Sequence, residues 1–220
     1  MIKKNNTIDV KVAETQKEKE EIFRLRYDIY IGEMGRPSHA DHENKFIKDS
    51  LDETAHLLYI TQKGKACGTA RINFKKESNT EFEEEYRIKE FESYFPNEIS
   101  ETSKFMMEKS WRKSRLPVFF AKELYRHGVE NGSKIDFINC NEPLDCLYEK
   151  LGYRRYQENF KHPEYGSVVP MVLLTYDVSY LKQVNSPLSK VAQELGISED
   201  KGVDEVKSNF NLYTVHLNKK

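Results

Sequence analysis

The sequence predicts an α/β fold: a mixed, mostly antiparallel twisted sheet flanked by helices, with a C-terminal helical extension. Three observations predict it. Apolar-alternating runs and amphipathic runs follow one another along the whole chain. Two strand-like runs, 55–61 and 66–74, flank the turn Gln62-Lys63-Gly64-Lys65, which signals an antiparallel hairpin. Residues 101–132 read as a short strand, a cationic loop and an amphipathic helix.

The elements follow in order. Residues 8–13 alternate and form a first strand. Thr15 and Glu18 have capping-box spacing, and the helix they open carries Ile22, Leu25 and Ile29 on one face and ends at Gly32 or Gly35. Arg26 and Tyr30, four apart, share a face of it. Residues 36–53 form a long polar loop; His39, Asp41, His42 and Glu43 lack the spacing of any particular metal site, so it reads as a solvated loop. In the hairpin's return strand, Gly68 marks a bulge or a close backbone approach, and Arg71 points to a cleft or to solvent. The acidic, aromatic stretch 75–100 holds a short helix or two before Pro96; its Tyr86, Ile88, Phe91, Tyr94 and Phe95 are core or line an apolar tunnel. A strand over 101–107 leads through Lys109, Arg112, Lys113 and Arg115 into a helix from near Pro117 to the Asn131-Gly132 stop. A strand at 135–140, a helix between Pro143 and Gly152, a strand at 154–158, a polar loop with His162 and Pro163, and a strand at 168–178 complete the main domain, 1–178. The extension, 179–220, packs on that domain or lids it. It contains a helix with Leu188, Val191 and Leu195 ended by Gly196, a second helical segment at 203–210, and an added strand over 212–217.

The 35 basic and 36 acidic residues nearly cancel, which argues against a nucleic-acid partner. The three cysteines, without a CxxC pair, argue against a disulfide scaffold or a zinc site and suit a reducing compartment. The absence of a signal-peptide h-region and of a membrane-length apolar run predicts a cytoplasmic protein without an integral membrane segment. A strand feeding a helix N-terminus through a cationic loop suits a phosphate-bearing ligand, because helix amides and the dipole favour an anion there.

The segment NEPLDCLYEKLGYRRY, residues 141–156, resembles the late helix-Leu-Gly-aromatic-strand signature of the GNAT acyltransferase superfamily. Upstream, FRLRYDIYIGEMGR, Asp52, GTARIN and ETSKF resemble, in order, the motifs of the N-acyl amino acid synthases and acyl-homoserine-lactone synthases; the likeness spans 8–178. WRKSRL stands where most of the superfamily has its Gly-rich pyrophosphate pattern. The resemblance implies an N-acyltransferase that moves a long-chain acyl group from acyl carrier protein or acyl-CoA to the amine of an amino acid or related small molecule. It further implies an acyl-phosphopantetheine thioester as co-substrate, with no permanently bound cofactor or metal, and acyl carrier protein as partner. Lys104 stands where the lactone synthases have Arg, and Met34 or a neighbour where they have Trp, which favours an acceptor other than theirs. A lactone-forming autoinducer synthase and a non-catalytic GNAT-like binding module are the alternatives.

Residue roles follow from the resemblance and from side-chain chemistry. Glu101 is the candidate base that deprotonates the amine, or simply a strand-end charge. Tyr148 resembles the residue that protonates the leaving thiolate, or is a Tyr packed under the sheet. Arg26 and Arg71 suit an acceptor carboxylate; Tyr30, Asp52 and Lys104 belong to the same substrate set. Phe105, Met107, Lys109, Arg112, Lys113 and Arg115 are assigned to the phosphopantetheine arm and to an acidic carrier. Phe105, Met106, Phe119 and Phe120 are expected to form an acyl groove, with Leu188 and Val191 as a lid.

Overall fold

The computed structural model describes residues 8–36, 39–200, 202–210 and 212. They divide into two compact units, one drawn from Met1–Asn73 and Thr102–Glu123, the other from Phe74–Glu101 and Leu124–Lys220.

In the first unit, β1 (Ile8–Val12), β2 (His56–Gln62), β3 (Lys65–Phe74) and the part of β4 (Ile99–Met107) from Thr102 onward are neighbours in that order. The β1–β2 and β2–β3 pairs are antiparallel. A register shift falls between Ile60 and Thr61, and Gly68 pairs with Ile60 beside it. A Cβ on Gly68 would lie 2.8 Å from both Ile60 Cγ2 and Met107 Cε and 3.1 Å from the Met106 carbonyl, so both a bulge and a close approach occur there. Helix α1 (Gln16–Tyr27) opens on the expected capping box, Thr15 and Glu18. Its Ile22, Phe23 and Leu25 pack with Leu57, Tyr59 and Ala66 of β2 and β3. The helix then widens into a π-turn over Asp28–Glu33, a feature concentrated at functional sites. The polar loop is more ordered than its composition implied: an isolated bridge joins Asp41 to Phe46, and a 3₁₀ turn spans Ser50–Glu53. Helix α2 (Leu116–Glu130) begins where Pro117 placed it.

In the second unit the start of β4 pairs in parallel with β5 (Ile135–Cys140), and that ladder runs from Ile99↔Ile135 to Glu101↔Phe137. After β5 come α3 (Asp145–Leu151), β6 (Arg154–Arg155), β7 (Phe160–His162) and β8 (Gly166–Leu174). β8 pairs antiparallel with β5, β6 and β7. Helices α4 (Val178–Gln183), α5 (Leu188–Glu194) and α6 (Gly202–Phe210) follow.

Several local expectations change here. The strand expected at 154–158 is two residues long, and three of the residues read as polar loop, Phe160–His162, are β7; so short a run carries no readable alternation. β8 ends at Leu174 rather than Val178, because Asp177 accepts a hydrogen bond from Tyr180 N and caps α4. Residues 75–98 are mostly turns with a 3₁₀ turn at Ile88–Glu90. Their aromatics are core: Phe82, Tyr86, Ile88, Phe91 and Tyr94 pack with Phe137, Tyr156 and α6's Val203 and Val206. Leu188 and Val191 are buried in α5. Of the strand expected at 212–217, all but Leu212 lies outside the described residues.

Gly152 ends α3 at φ 109°, and a Cβ there would lie 2.4 Å from Leu181 Cδ2. Gly152→Ala is therefore expected to destabilise by roughly 1–3 kcal/mol through overpacking and backbone strain, read as a lower midpoint in urea unfolding.

Candidate functional site

Four of the five predicted substrate residues meet in one charge cluster in the first unit. Helix α1 delivers Arg26, which is fully buried, and its Nη1 contacts Asp52 Oδ1 and Oδ2 at 2.8 and 2.9 Å. Asp52 sits in the 3₁₀ turn, where its Oδ2 also accepts from Asp49 N at 2.9 Å. Arg71 comes from β3, a strand buried on both faces, and points inward rather than to solvent. Its Nη1 lies 2.5 Å from Asp49 Oδ1 and 3.6 Å from Asp52 Oδ1, and its Nε donates to Ser103 Oγ at 3.0 Å. Lys104 Nζ closes the cluster 3.0 Å from Asp49 Oδ2. Tyr30 is buried in the π-turn one helical turn beyond Arg26.

Sequence reasoning missed Asp49 and Ser103. Asp49 links Arg71 to Lys104 and, at 39% side-chain exposure, is the carboxylate of the cluster that reaches solvent. Its only sequence signal was capping-box spacing to Asp52. Burial works to raise the Asp49 pKa, but Lys104, Arg71 and Arg26 outweigh it and hold the carboxyl below its ordinary 3.8. Two donors of Arg26, Nε and Nη2, have no hydrogen-bond partner among the described residues. Unsatisfied buried guanidinium nitrogens are uncommon in native structures.

Ser103 and Lys104 are consecutive, yet both reach this cluster. Regular strand geometry would send them to opposite faces. Lys104 takes a left-handed backbone conformation (φ 50°), which breaks the alternation within β4.

The basic loop is exposed: Lys109, Arg112, Lys113 and Arg115 all face solvent. Arg112 Nε donates to Met107 O at 2.8 Å, and its Nη2 pairs with Glu33 of the π-turn. Phe105 of β4 packs on Phe120 of α2 with ring centroids 5.7 Å apart, while Phe119 is exposed.

In the second unit, Glu101 is fully buried, and its Oε2 accepts from Glu81 N at 2.5 Å. Burial raises the Tyr86 and Tyr156 phenols well above their usual range, and the negative charge of Glu101 adds to both shifts. Tyr86 is held by Asn139 Nδ2 at 2.7 Å and stacks on Phe137. None of Glu81, Tyr86 and Tyr156 was read as a neighbour of Glu101, because their separation in sequence carries no spacing signal. Tyr148 is half-buried on α3, edge-on to Tyr153 at 5.6 Å, and Tyr153 donates to Asp136 at 2.6 Å.

The family model for the N-acyl amino acid synthase FeeM matches residues 21–177. No curated protein matches the chain in sequence. Among solved structures, FeeM, an N-acyl amino acid synthase from uncultured soil microbes, has a TM-score of 0.64 at 13% identity, covering 84% of this chain and 98% of its own. MesI, a CoA-dependent acyl-homoserine lactone synthase, has a TM-score of 0.59 at 21% identity, covering 88% and 97%. An acyl-CoA N-acyltransferase from Pseudomonas aeruginosa has a TM-score of 0.55 at 12% identity, covering 76% and 98%. The fold is the GNAT-like acyltransferase fold expected from residues 141–156.

Two outcomes follow from the cluster. Asp52→Asn leaves Arg26 charged and buried without its counter-ion, and should cost roughly 3–5 kcal/mol in chemical unfolding, whereas an apolar pair replacing both residues should recover most of the loss. Asp49 has a depressed folded pKa, so its stabilising contribution is fully present above its unfolded value near 3.8 and is lost as pH falls through the lower folded value. Asp49→Asn should therefore flatten the fall of the thermal midpoint below that pH, measured against the parent protein.

Proposed function

This chain belongs to the N-acyl amino acid synthase FeeM family and is an acyltransferase, and from that premise we propose that it moves a long-chain acyl group from a phosphopantetheine thioester to the amine of an amino acid or a related small molecule. The observation that carries the acceptor assignment is the cluster of Arg26, Asp52, Arg71, Asp49 and Lys104. An amino acid is a zwitterion. Lys104 and the idle nitrogens of Arg26 suit its carboxylate, and the half-exposed Asp49 suits its ammonium group. Tyr30 lies one turn from Arg26 and completes the acceptor set.

The chemistry assigned to the chain has three steps. Glu101, directly or through a water, takes a proton from the ammonium group, because only the neutral amine has a lone pair for the thioester carbonyl. The amine nitrogen bonds to that carbon, and the charge that develops on oxygen is assigned to β4 amides near Phe105–Met107, beyond the end of the β4–β5 ladder at Glu101. The carbon–sulfur bond then breaks, and Tyr148 gives its proton to the leaving thiolate. Burial of Glu101, with its Oε2 held by the Glu81 amide at 2.5 Å, supports a base kept in a fixed position.

The donor is assigned to the loop and to the start of α2. Lys109, Arg112, Lys113 and Arg115 supply exposed positive charge for the phosphopantetheine and for an acidic acyl carrier protein, with acyl-CoA as the other carrier of the same arm. The exposed Phe119 and the half-buried Phe105 and Met106 offer the apolar surface for the acyl tail, with Phe105 packed on the buried Phe120. Among the described residues no helix is long and apolar enough to cross a membrane. Cys67, Cys140 and Cys146 are free thiols, which fits a cytoplasmic setting where acyl thioesters are made.

Purified protein, given long-chain acyl carrier protein or acyl-CoA and a panel of amino acids, should release thiol and yield an N-acyl amino acid by mass spectrometry. A lactone accompanied by methylthioadenosine would instead make it an autoinducer synthase, and no thiol release with any donor would remove the assignment. Glu101→Gln keeps an oxygen for the Glu81 amide and should lower kcat by roughly 10²–10⁴ while leaving donor binding intact; parent-like turnover would take Glu101 out of the mechanism. Neutralising Arg112 and Arg115 together should weaken carrier docking and reduce its salt dependence.

A further inference from the structure

We propose that Glu33 is an internal stand-in for the donor's phosphate: its carboxylate occupies the anion position of the basic loop and must be displaced when the acyl donor docks. This rests on the assignment of that loop to the donor. Glu33 ends the π-turn, and its two carboxylate oxygens go to two different donors of the loop. Oε2 pairs with Arg112 Nη2, and Oε1 accepts from the Lys109 backbone N–H at 3.4 Å. A guanidinium and a main-chain amide meeting one anion is the donor set that holds a phosphate oxygen. Arg112 is fixed at its other side by Nε donating to Met107 O at 2.8 Å, so its fork is aimed before any ligand arrives.

The contact is built to yield. Side-chain exposure is 41% at Arg112 and 28% at Glu33, and an ion pair this exposed is weakly held. A phosphate brings more charge and more acceptor oxygens than a carboxylate, so it can win the exchange. The π-turn gives the exchange a direction. Its widened backbone starts at Asp28, directly after the helix that carries Arg26, and it holds Tyr30 and Glu33 on one short segment. Release of Glu33 on donor docking therefore acts on the segment that carries Tyr30, an acceptor residue of the proposed function. Donor affinity and acceptor binding are coupled through six residues.

The test is Glu33→Gln, which keeps the shape and removes the charge. Titration calorimetry of the parent and variant with CoA reads binding without turnover. The variant should bind CoA roughly two- to fivefold more tightly, matching loss of one exposed competing ion pair. With acyl-CoA or acyl carrier protein the same factor should appear as a lower donor KM at constant kcat. An acyl-pantetheine donor without phosphate should show no change, and Glu33→Gln combined with Arg112→Gln should lose the gain. Equal or weaker CoA binding by the variant overturns the proposal, because Glu33 then merely positions Arg112. A gain shared by the phosphate-free donor overturns it as well. Tighter CoA binding in a protein that transfers no acyl group would keep the Glu33 assignment while removing the proposed reaction, so the two readings fail separately.

Discussion

Asp52 is the residue on which the first unit's candidate site depends. Two guanidinium groups, Arg26 and Arg71, are fully buried there, and a buried cation is tolerated only when an anion shares its enclosure. Asp52 meets Arg26 through both carboxylate oxygens and lies 3.6 Å from Arg71. It also accepts the Asp49 amide, which pins the 3₁₀ turn in place. One carboxylate thus ties α1, β3 and the end of a long polar loop to one another. Such a cluster contributes little net stability compared with an apolar core of the same volume. Arg26, Arg71 and Asp52 are held there as fixed charges already stripped of water.

What the sequence revealed divides along physical lines. Long apolar runs were legible: β5 falls on the expected residues, and the ends of α2 were marked by Pro117 and Asn131-Gly132. Arg26, Asp52, Arg71 and Lys104 were named through resemblance, but their joining through Asp49 was not visible, because 22 positions separate Asp49 from Arg71. The direction of Arg71 was also hidden. β3 is buried on both faces, so alternation does not distinguish inward from outward there. β7 and β6 were obscured by their length, and α4 by an apolar run that continued past the end of β8.

The C-terminal extension shows how composition alone understates integration. Val203 and Val206 of α6 share a core with Phe82, Tyr86, Phe91 and Phe137, and Phe210 stacks on Phe91 at 4.0 Å with nearly parallel rings. Ion pairs frame this packing: Lys207 with Asp177 at 2.9 Å, and Lys134 with Glu98 and Asp200 at 2.8 and 2.9 Å. The two carboxylates raise the Lys134 pKa, and it stays charged across the physiological range. The aromatic residues of 75–100, core or tunnel lining by sequence, form an apolar core with Glu101's neighbours Tyr86 and Tyr156. The Glu101 carboxylate, buried in these surroundings, is held by a fixed donor, the Glu81 amide.

β4 carries these requirements along a single strand. Glu101 sits at the last pair of the parallel ladder, Ser103 and Lys104 serve the charge cluster, and Phe105 packs on α2. A regular strand has only two faces, reached in turn, so consecutive residues cannot serve one site. The left-handed turn at Lys104 removes that restriction. A non-glycine residue held there costs on the order of 1–3 kcal/mol, and it persists because the ammonium group is anchored to Asp49 while Ser103 is anchored to Arg71. The charge cluster and the backbone irregularity therefore stabilise each other: the left-handed turn lets the lysine reach Asp49, and the Lys104–Asp49 and Ser103–Arg71 contacts hold that turn. That reciprocity explains why a position which glycine would fill with less strain carries the one side chain that can reach the cluster from β4 as a cation.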